Sequence, residues 1–309
     1  MSSITTLRVA YIPEHFSTPL FLAKQKGYYE QNNLNIEFVK VLEGTGRLVK
    51  LLNDGEVDIA IGLTEGFVAD LASDKNQGNY KLIDTYVNSP LLWSISTGSQ
   101  RDELKEVTDL NSDSSIGVSR IGSGSYVMSF VLSHDLKYTK SFSKFPILSN
   151  FKNLRDSVNH KLSNDENSDA FMWEYFTSKK YYDNNEIKPI GQIYTPWPSW
   201  VITVSSKQVE TNPEPIKKFL NAINQGIQYF NHHQDEAIEY IYTNLDYSKE
   251  DASEWIKTVK FNTDLGLFKL NRDAVVEKTS QILKLAGVLK DNDETINSRL
   301  TGSVIVKEI

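Results

Sequence analysis

Segments with the pattern of a β-strand alternate with segments with the pattern of an α-helix along most of this chain. The runs LRVAYI (7–12) and VDIAIG (57–62) are rich in the residues that favour strands. Between them, PLFLAKQKGYY (19–29) carries apolar residues at helical spacing. The alternation restarts at DLNSDSSIGVSRI (109–121), and only helical patterns follow WVITVS (200–205). This order predicts two α/β units, each around a mostly parallel sheet, followed by a helical C-terminal tail.

The composition narrows the functional classes. The 309 residues carry a net charge of -7, which argues against a nucleic-acid partner. The chain has no cysteine, so disulfides, thiolate nucleophiles and sulfur-ligated metals are excluded. His232 and His233 are adjacent, whereas a helical metal pair needs a spacing of four residues. We therefore expect neither a metal nor a cofactor.

The amino terminus, MSSITTLRVAYI, does not have the pattern of a secretory signal, and the chain contains no apolar run of the length that spans a bilayer. These features predict a cytoplasmic protein that is not inserted in a membrane.

Four turns join a predicted strand to a predicted helix and are rich in small or polar residues. Ligands of α/β proteins collect at such turns, because backbone N–H groups at a helix N-terminus point outward. The GxG of the fourth turn lacks the third glycine of a dinucleotide-binding fingerprint and the Gly-Lys-Ser/Thr of a phosphate loop. The turns are PEHFSTP (13–19), EGTGR (43–47), LTEGF (63–67) and SRIGSGSY (119–126).

Acidic and aromatic residues near these turns have two interpretations each. The acids are either surface carboxylates near helix N-termini or a cleft that accepts hydrogen bonds from an amine or N-heterocycle; they are Glu14, Glu43, Glu65 and Glu174. Four tryptophans either pack in the core or form a wall on which a flat ligand stacks, namely Trp93, Trp173, Trp197 and Trp200. A lone loop histidine such as His15 more often forms a structural hydrogen bond than acts in catalysis, and we predict no catalytic residue.

Four segments occur in the order found in one known superfamily. They are PLFLAKQKGYY, LLNDGEVDIAIG, DLNSDSSIGVSRIGSGSY and NPEPIKKFLNAI. With them, nearly the whole chain resembles the type 2 periplasmic-binding-protein superfamily. It is similar in particular to the nitrate, sulfonate and taurine substrate-binding proteins and to the fungal synthase of the thiamine pyrimidine precursor.

The resemblance implies a two-lobe clamp with a ligand cleft between the lobes. The first lobe would comprise residues 1–95 and 200–309, the second lobe residues 96–199, with crossovers near 90–97 and 194–203. The second crossover contains IYTPWPSW (193–200), in which two prolines restrict the backbone, so we expect hinge motion there. Its Trp197 is the better candidate for a ligand contact, and its Trp200 for packing behind the hinge strand.

The family also implies ligand contacts at the turn after each strand. The predicted ligand-binding residues are Glu14, His15, Phe16, Thr45, Thr64, Glu65, Asn88, Ser89, Ser123, Gly124, Ser125, Trp173, Glu174 and Trp197.

Two departures from the family narrow the functions that the resemblance implies. Exported members carry a signal or anchor, which this sequence does not show. The synthase has a cofactor-binding lysine and a substrate-donating histidine where this chain has GLTEGF (62–67), and a cysteine-rich run where it has TPWPSW (195–200). We therefore predict non-catalytic binding of a small polar metabolite, such as a pyrimidine or another thiamine-precursor-like heterocycle. The alternatives are an enzyme of that metabolism and a substrate-binding subunit of an ABC transporter; the oligomeric state is not predicted.

Overall fold

A computed structural model describes residues 4–309. Residues 1–3, which belong to the predicted first lobe, lie outside the described range. The described residues form nine strands in two sheets. The strands are β1 Thr5–Tyr11, β2 Leu34–Lys40, β3 Ile59–Leu63, β4 Tyr80–Val87, β5 Leu92–Gly98, β6 Ile116–Gly117, β7 Ala170–Glu174, β8 Ile187–Tyr194 and β9 Trp200–Ser205.

Most helices fall between successive strands, and the last five follow β9 and α8. They are α1 Thr18–Gln25, α2 Tyr28–Gln31, α3 Thr45–Asn53, α4 Thr64–Ala72, α5 Gly124–Asp135, α6 Phe151–Val158, α7 Tyr175–Asp183, α8 Ser206–Thr211, α9 Glu214–His232, α10 Gln234–Asn244, α11 Lys249–Trp255, α12 Lys278–Leu285 and α13 Asp293–Ser303. Short 3-10 turns form at His15–Ser17 and Val107–Asp109, and a π-helical turn at Asp273–Glu277.

Each sheet is the centre of one lobe, and the two-lobe α/β architecture predicted from the sequence is confirmed. The first lobe contains the sheet β2-β1-β3-β9-β4, and the second lobe contains the sheet β6-β7-β5-β8. The expectation of mostly parallel sheets agrees with the structure, because in each sheet all strands but one run in the same direction. Strand β9 is antiparallel to β3 and β4, and β5 is antiparallel to β7 and β8. The cause is the double crossover, because a strand that returns from the other lobe enters its sheet from the opposite end.

Strand β8 was not predicted, and its sequence explains why. It contains Pro189 and Gly191, two residues that weaken a strand. The strand lies at the edge of the second sheet and pairs only with β5. Proline is tolerated at an edge, where one side of the backbone forms no ladder hydrogen bonds. Ile193 and Tyr194 of the predicted connector are therefore the end of this strand.

The two chain segments that join the lobes run side by side. The chain leaves the first sheet after Val87 and returns to it at Trp200. Between these points, Thr195 donates its backbone N–H to the carbonyl of Leu91 and accepts the N–H of Leu91 on its hydroxyl, both at 3.0 Å. Ser199 donates to the carbonyl of Ser89 from its N–H and its hydroxyl. The paired segments are the only covalent connections between the two lobes in the described chain.

The C-terminal helices pack on both lobes. Helix α9 buries the apolar stripe predicted for it against α1 and α2. Gly226 permits this close packing, since a Cβ there would lie 2.4 Å from the carbonyl oxygen of Pro19. Helix α12 contacts α4 and α5, and α11 contacts α7, so the tail packs against helices of both lobes. Within residues 4–309, no helix combines the length and apolar character needed to cross a membrane.

Candidate functional site

A small cavity lies between the two lobes, at the ends of their strands. Its volume is about 30 Å³, which leaves room for about two water molecules. Both lobes and both crossovers contribute to its wall. The lining residues are Ile12, Glu14, Gly44, Thr45, Leu63, Leu91, Trp93, Ser119, Ser123, Gly124, Ser125, Trp173, Glu174 and Trp200. We call this space the inner cavity.

Helix N-termini contribute much of the polar wall of the inner cavity. Ser123 caps α5 by accepting the N–H of Tyr126 at 3.3 Å, and its hydroxyl lies 2.9 Å from that of Ser125. Thr45, at the start of α3, accepts the N–H of Leu63 on its hydroxyl at 3.1 Å, which fixes α3 to the end of β3. The strand-end rule therefore places Thr45, Ser123 and Ser125 around one space.

Two carboxylates face the inner cavity, one from each lobe. Glu14 follows β1, and Glu174 ends β7 and caps α7 by accepting the N–H of Thr177 at 2.7 Å. The pKa of Glu14 is raised to about 8, first by burial and then by the negative charge of Glu174, while the indole N–H of Trp173 opposes the shift. No basic side chain belongs to the described wall of this cavity, so its charged groups are all acidic.

Two indole N–H groups at the same cavity have no acceptor among the described residues. Trp93 and Trp200 both line the cavity, and each is 3% exposed. The Nε1 atoms of both are buried without a hydrogen-bond partner. A buried donor without an acceptor costs about 1–3 kcal/mol. The wall thus offers donors as well as acceptors to anything it binds.

His15 is buried next to the cavity, not in its wall. Its ring is sandwiched between Tyr247 and Trp255, with ring centroids at 4.5 and 4.2 Å. Its Nε2 atom lies 3.2 Å from a carboxylate oxygen of Glu174. His15 therefore holds the first lobe and the helical tail against the start of α7 in the second lobe.

The remaining predicted residues lie outside the inner cavity and support the crossovers. Trp197 donates its indole N–H to Glu65 at 2.9 Å. Burial raises the pKa of Glu65 to about 7, an effect that this hydrogen bond opposes. Thr64 donates its hydroxyl to the carbonyl of Pro198.

Asn88 and Ser89 hydrogen-bond to the backbone of Lys260 in the tail. Phe16 packs against Trp200, with ring centroids 5.0 Å apart. The structure thus brings seven predicted residues to the inner cavity, namely Glu14, Thr45, Ser123, Gly124, Ser125, Trp173 and Glu174.

A second, larger space of about 430 Å³ adjoins the inner cavity, and we call it the outer cavity. The two share Ile12, Glu14 and Trp173. The volume of the outer cavity lies in the range typical of small-molecule sites. Its full wall comprises Ile12, Pro13, Glu14, Leu42, Asn150, Phe151, Lys152, Arg155, Trp173, Thr177, Tyr181, Asp246 and Tyr247.

Contacts between α7 and the tail close one side of the outer cavity. The hydroxyl groups of Thr177 and Tyr247 lie 2.7 Å apart, and Tyr181 donates its hydroxyl to Asp246. Sequence reasoning missed the outer wall, because α6, α7 and the tail meet only in the folded chain. Trp93 was considered for a cleft wall but not included among the predicted ligand contacts, and Trp200 was assigned to packing.

The two lobes are in close contact at Gly124. A Cβ at this position would lie 2.3 Å from Cδ1 of Leu63 in the first lobe and 3.0 Å from the ring of Trp93. Any side chain at residue 124 therefore clashes in this closed arrangement, although an alanine at the start of a helix is otherwise favourable.

We predict that Gly124→Ala shifts the clamp towards an open state and weakens ligand binding roughly tenfold, since overpacking costs about 1–3 kcal/mol. The radius of gyration from small-angle X-ray scattering should increase. Gly302→Ala is the matched control, because Gly302 lies in α13 with open space at its Cβ position. Equal radii for the two variants and the unchanged chain would show that residue 124 does not limit closure.

The comparisons with known proteins agree with this architecture. A family model described as Ca3427-like PBP matches residues 93–193. The solved structure of the Candida albicans CA3427 gene product, described as defining a new family with the generic periplasmic binding protein fold, is 61% identical to this chain. The match covers 98% of this chain and 97% of that one, with a TM-score of 0.93. The chain belongs to the CA3427 family. The resemblance to the type 2 periplasmic-binding-protein superfamily is thereby confirmed.

More distant solved structures share the fold of this CA3427-family protein. The alkanesulfonate-binding protein SsuA from Xanthomonas axonopodis pv. citri is 14% identical, with a TM-score of 0.75 over 98% of this chain and 99% of that chain. The nitrate-binding protein NrtA from Synechocystis PCC 6803 is 14% identical, with a TM-score of 0.68 over 96% and 85% of the two chains. No curated protein matches the chain in sequence. The fold supports small-molecule binding.

Proposed function

We propose that this protein binds, without transforming it, a small molecule whose N–H groups are accepted by Glu14 and Glu174. One observation carries the proposal: the charged groups in the described wall of the inner cavity are two carboxylates from opposite lobes. Burial raises the pKa of Glu14, and repulsion by the neighbouring carboxylate of Glu174 adds to the shift. A ligand that donates N–H groups relieves this repulsion, whereas a sulfonate or nitrate adds a further negative charge.

The indole groups of the cavity narrow the ligand class. Trp93 and Trp200 bring unpartnered N–H donors to the wall that carries the carboxylates. An amino-substituted nitrogen heterocycle such as a pyrimidine presents donors and acceptors along one edge, and so satisfies both kinds of group. The inner cavity has room for such an edge, and the outer cavity has room for the rest of the molecule.

The mechanism we propose is closure of the clamp around the ligand. Glu14 belongs to the first lobe and Glu174 to the second, so a ligand held by both carboxylates binds the closed state better than the open one. The enclosed site excludes water, which strengthens the hydrogen bonds. The paired crossover segments confine the motion to a hinge.

Isothermal titration of the full chain with probes of similar size tests the proposal. We expect benzylamine and 4-aminopyrimidine to bind, the heterocycle more tightly, and benzenesulfonate and nitrate not to bind. Glu174→Gln should weaken both nitrogen probes about tenfold or more, because a hydrogen bond to a charged group contributes about 1.5–3 kcal/mol. Binding of the anions alone would contradict the proposal and favour a transporter subunit.

An enzyme of thiamine-precursor or related heterocycle metabolism is the second candidate. The observation that favours it is the distance of 3.2 Å between His15 Nε2 and a carboxylate oxygen of Glu174, two groups able to exchange protons that lie at or next to the inner cavity. Rescue of a thiamine-precursor auxotroph would support this function, and failure with well-expressed protein would reject it. A cytoplasmic location remains a prediction, and cell fractionation tests it.

A further inference from the structure

The outer cavity contains a buried arginine that the proposed function does not use. Arg155 is 8% exposed and lines the outer cavity from α6. Its guanidinium carbon lies 3.6 Å from the ring centroid of Tyr181 and 4.6 Å from that of Phe151. Its Nε donates to Glu186 at 3.0 Å. The guanidinium group is therefore fixed in position by two rings and one carboxylate.

The two terminal nitrogens of Arg155 form no hydrogen bond within the described part of the chain; the contact through Nε to Glu186 is its side-chain hydrogen bond there. Terminal guanidinium nitrogens carry four of the five N–H donors of an arginine and match the two oxygens of a carboxylate or phosphate. Fixing the group in advance reduces the entropy that is lost when it binds an anion.

The neighbouring charges leave Arg155 available. Asp246, the acid of the outer wall opposite α6, is paired with Lys180 and Tyr181. Lys152 is a second basic side chain in the wall, and its partner Asp156 does not line the cavity. The inner end of the combined space is thus acidic, and the α6 side of the outer cavity is basic.

We propose that the outer cavity is a second subsite, in which Arg155 binds a carboxylate or phosphate group of the ligand whose N–H groups are accepted by Glu14 and Glu174. This inference rests on the proposed function. One molecule can reach both ends because the two cavities share Ile12, Glu14 and Trp173. The ligand class becomes a nitrogen heterocycle with an anionic substituent.

Three probes test the subsite by isothermal titration on the full chain: 4-aminopyrimidine, 4-aminopyrimidine-5-carboxylate and (4-aminopyrimidin-5-yl)methyl phosphate. At least one anionic probe should bind tenfold or more tightly than the parent compound. Arg155→Gln should remove this gain and leave the affinity for 4-aminopyrimidine unchanged. Comparing the two anionic probes distinguishes a carboxylate from a phosphate.

Lys161→Gln is the matched control, because Lys161 is exposed, follows α6 and lines neither cavity. It should keep the full gain. If Arg155→Gln does not fold, Arg155→Lys replaces it. A lysine retains the positive charge but lacks the paired N–H donors of the guanidinium group, so the gain in affinity of the anionic probes should fall at least threefold.

Anionic probes that bind no better than the parent compound, or a loss of the gain in Lys161→Gln as well, would overturn the subsite and leave the proposed function standing. Failure of benzylamine and of all three heterocycles to bind would overturn both.

Discussion

Trp255→Ala is expected to lower the free energy of unfolding by about 3–5 kcal/mol, the usual cost of removing a large buried aromatic ring. Trp255 is 1% exposed and stacks on His15. It also packs against Phe16, Phe230 and Phe261. The substitution removes the centre of this cluster, where the tail meets the first lobe. The midpoint and the slope of a urea denaturation curve give the change in the free energy of unfolding.

The same substitution should also weaken ligand binding, because His15 loses one of its two stacking rings beside Glu174. Tyr194→Ala is the control: this aromatic residue is 58% exposed, and its removal should change stability by less than about 0.5 kcal/mol. A loss below about 1 kcal/mol for Trp255→Ala would mean that the surrounding rings collapse into the space.

Local rules predicted the parts of the site that depend on local sequence. A helix that follows a strand begins at the edge of the sheet where the strand ends, and this rule selected the turns of Thr45 and Ser123. The family resemblance added Glu174. The alternation of strands and helices predicted two α/β units, and the family resemblance supplied their arrangement as lobes joined by two crossovers. It could not supply the antiparallel return, because strand direction depends on where the chain re-enters the sheet.

The rest of the site depends on contacts between distant residues. Trp197 and Trp200 are three positions apart in one connector, and the sequence does not indicate which indole meets Glu65. The structure pairs Trp197 with that carboxylate and leaves Trp200 in the wall of the inner cavity. Arg155 is four residues from Phe151 on one helix, and this spacing predicts that the two side chains are in contact. The cavity that Arg155 lines is formed only when Tyr181 and the tail pack beside it, which the local sequence does not indicate.

Benzylamine is expected to bind about 100-fold more tightly at pH 9 than at pH 6. The pKa of Glu14 is raised to about 8, so about 1% of its carboxyl groups are ionised at pH 6 and about 90% at pH 9. A cationic probe binds the ionised form, and the apparent affinity therefore rises with pH until the pKa is passed. After burial, Glu174 is the titratable group that raises the pKa of Glu14. Burial raises the pKa of the neighbouring Tyr247 well above this range.

Glu14→Gln should make the affinity for benzylamine nearly independent of pH, because the amide has no proton to release. Glu56→Gln removes the same charge from an exposed position of the first lobe and should retain the full pH dependence. Titrations in two buffers of different ionisation enthalpy should show release of one proton per probe bound near pH 7 in the unchanged chain, and none in Glu14→Gln. An affinity for 4-aminopyrimidine, which is neutral in this range, that falls above pH 8 would mean that protonated Glu14 donates its proton to an acceptor on the ligand. The carboxyl group would then select a ring nitrogen or a carbonyl oxygen, and the preference of this site for N–H donors would rest on Glu174 alone.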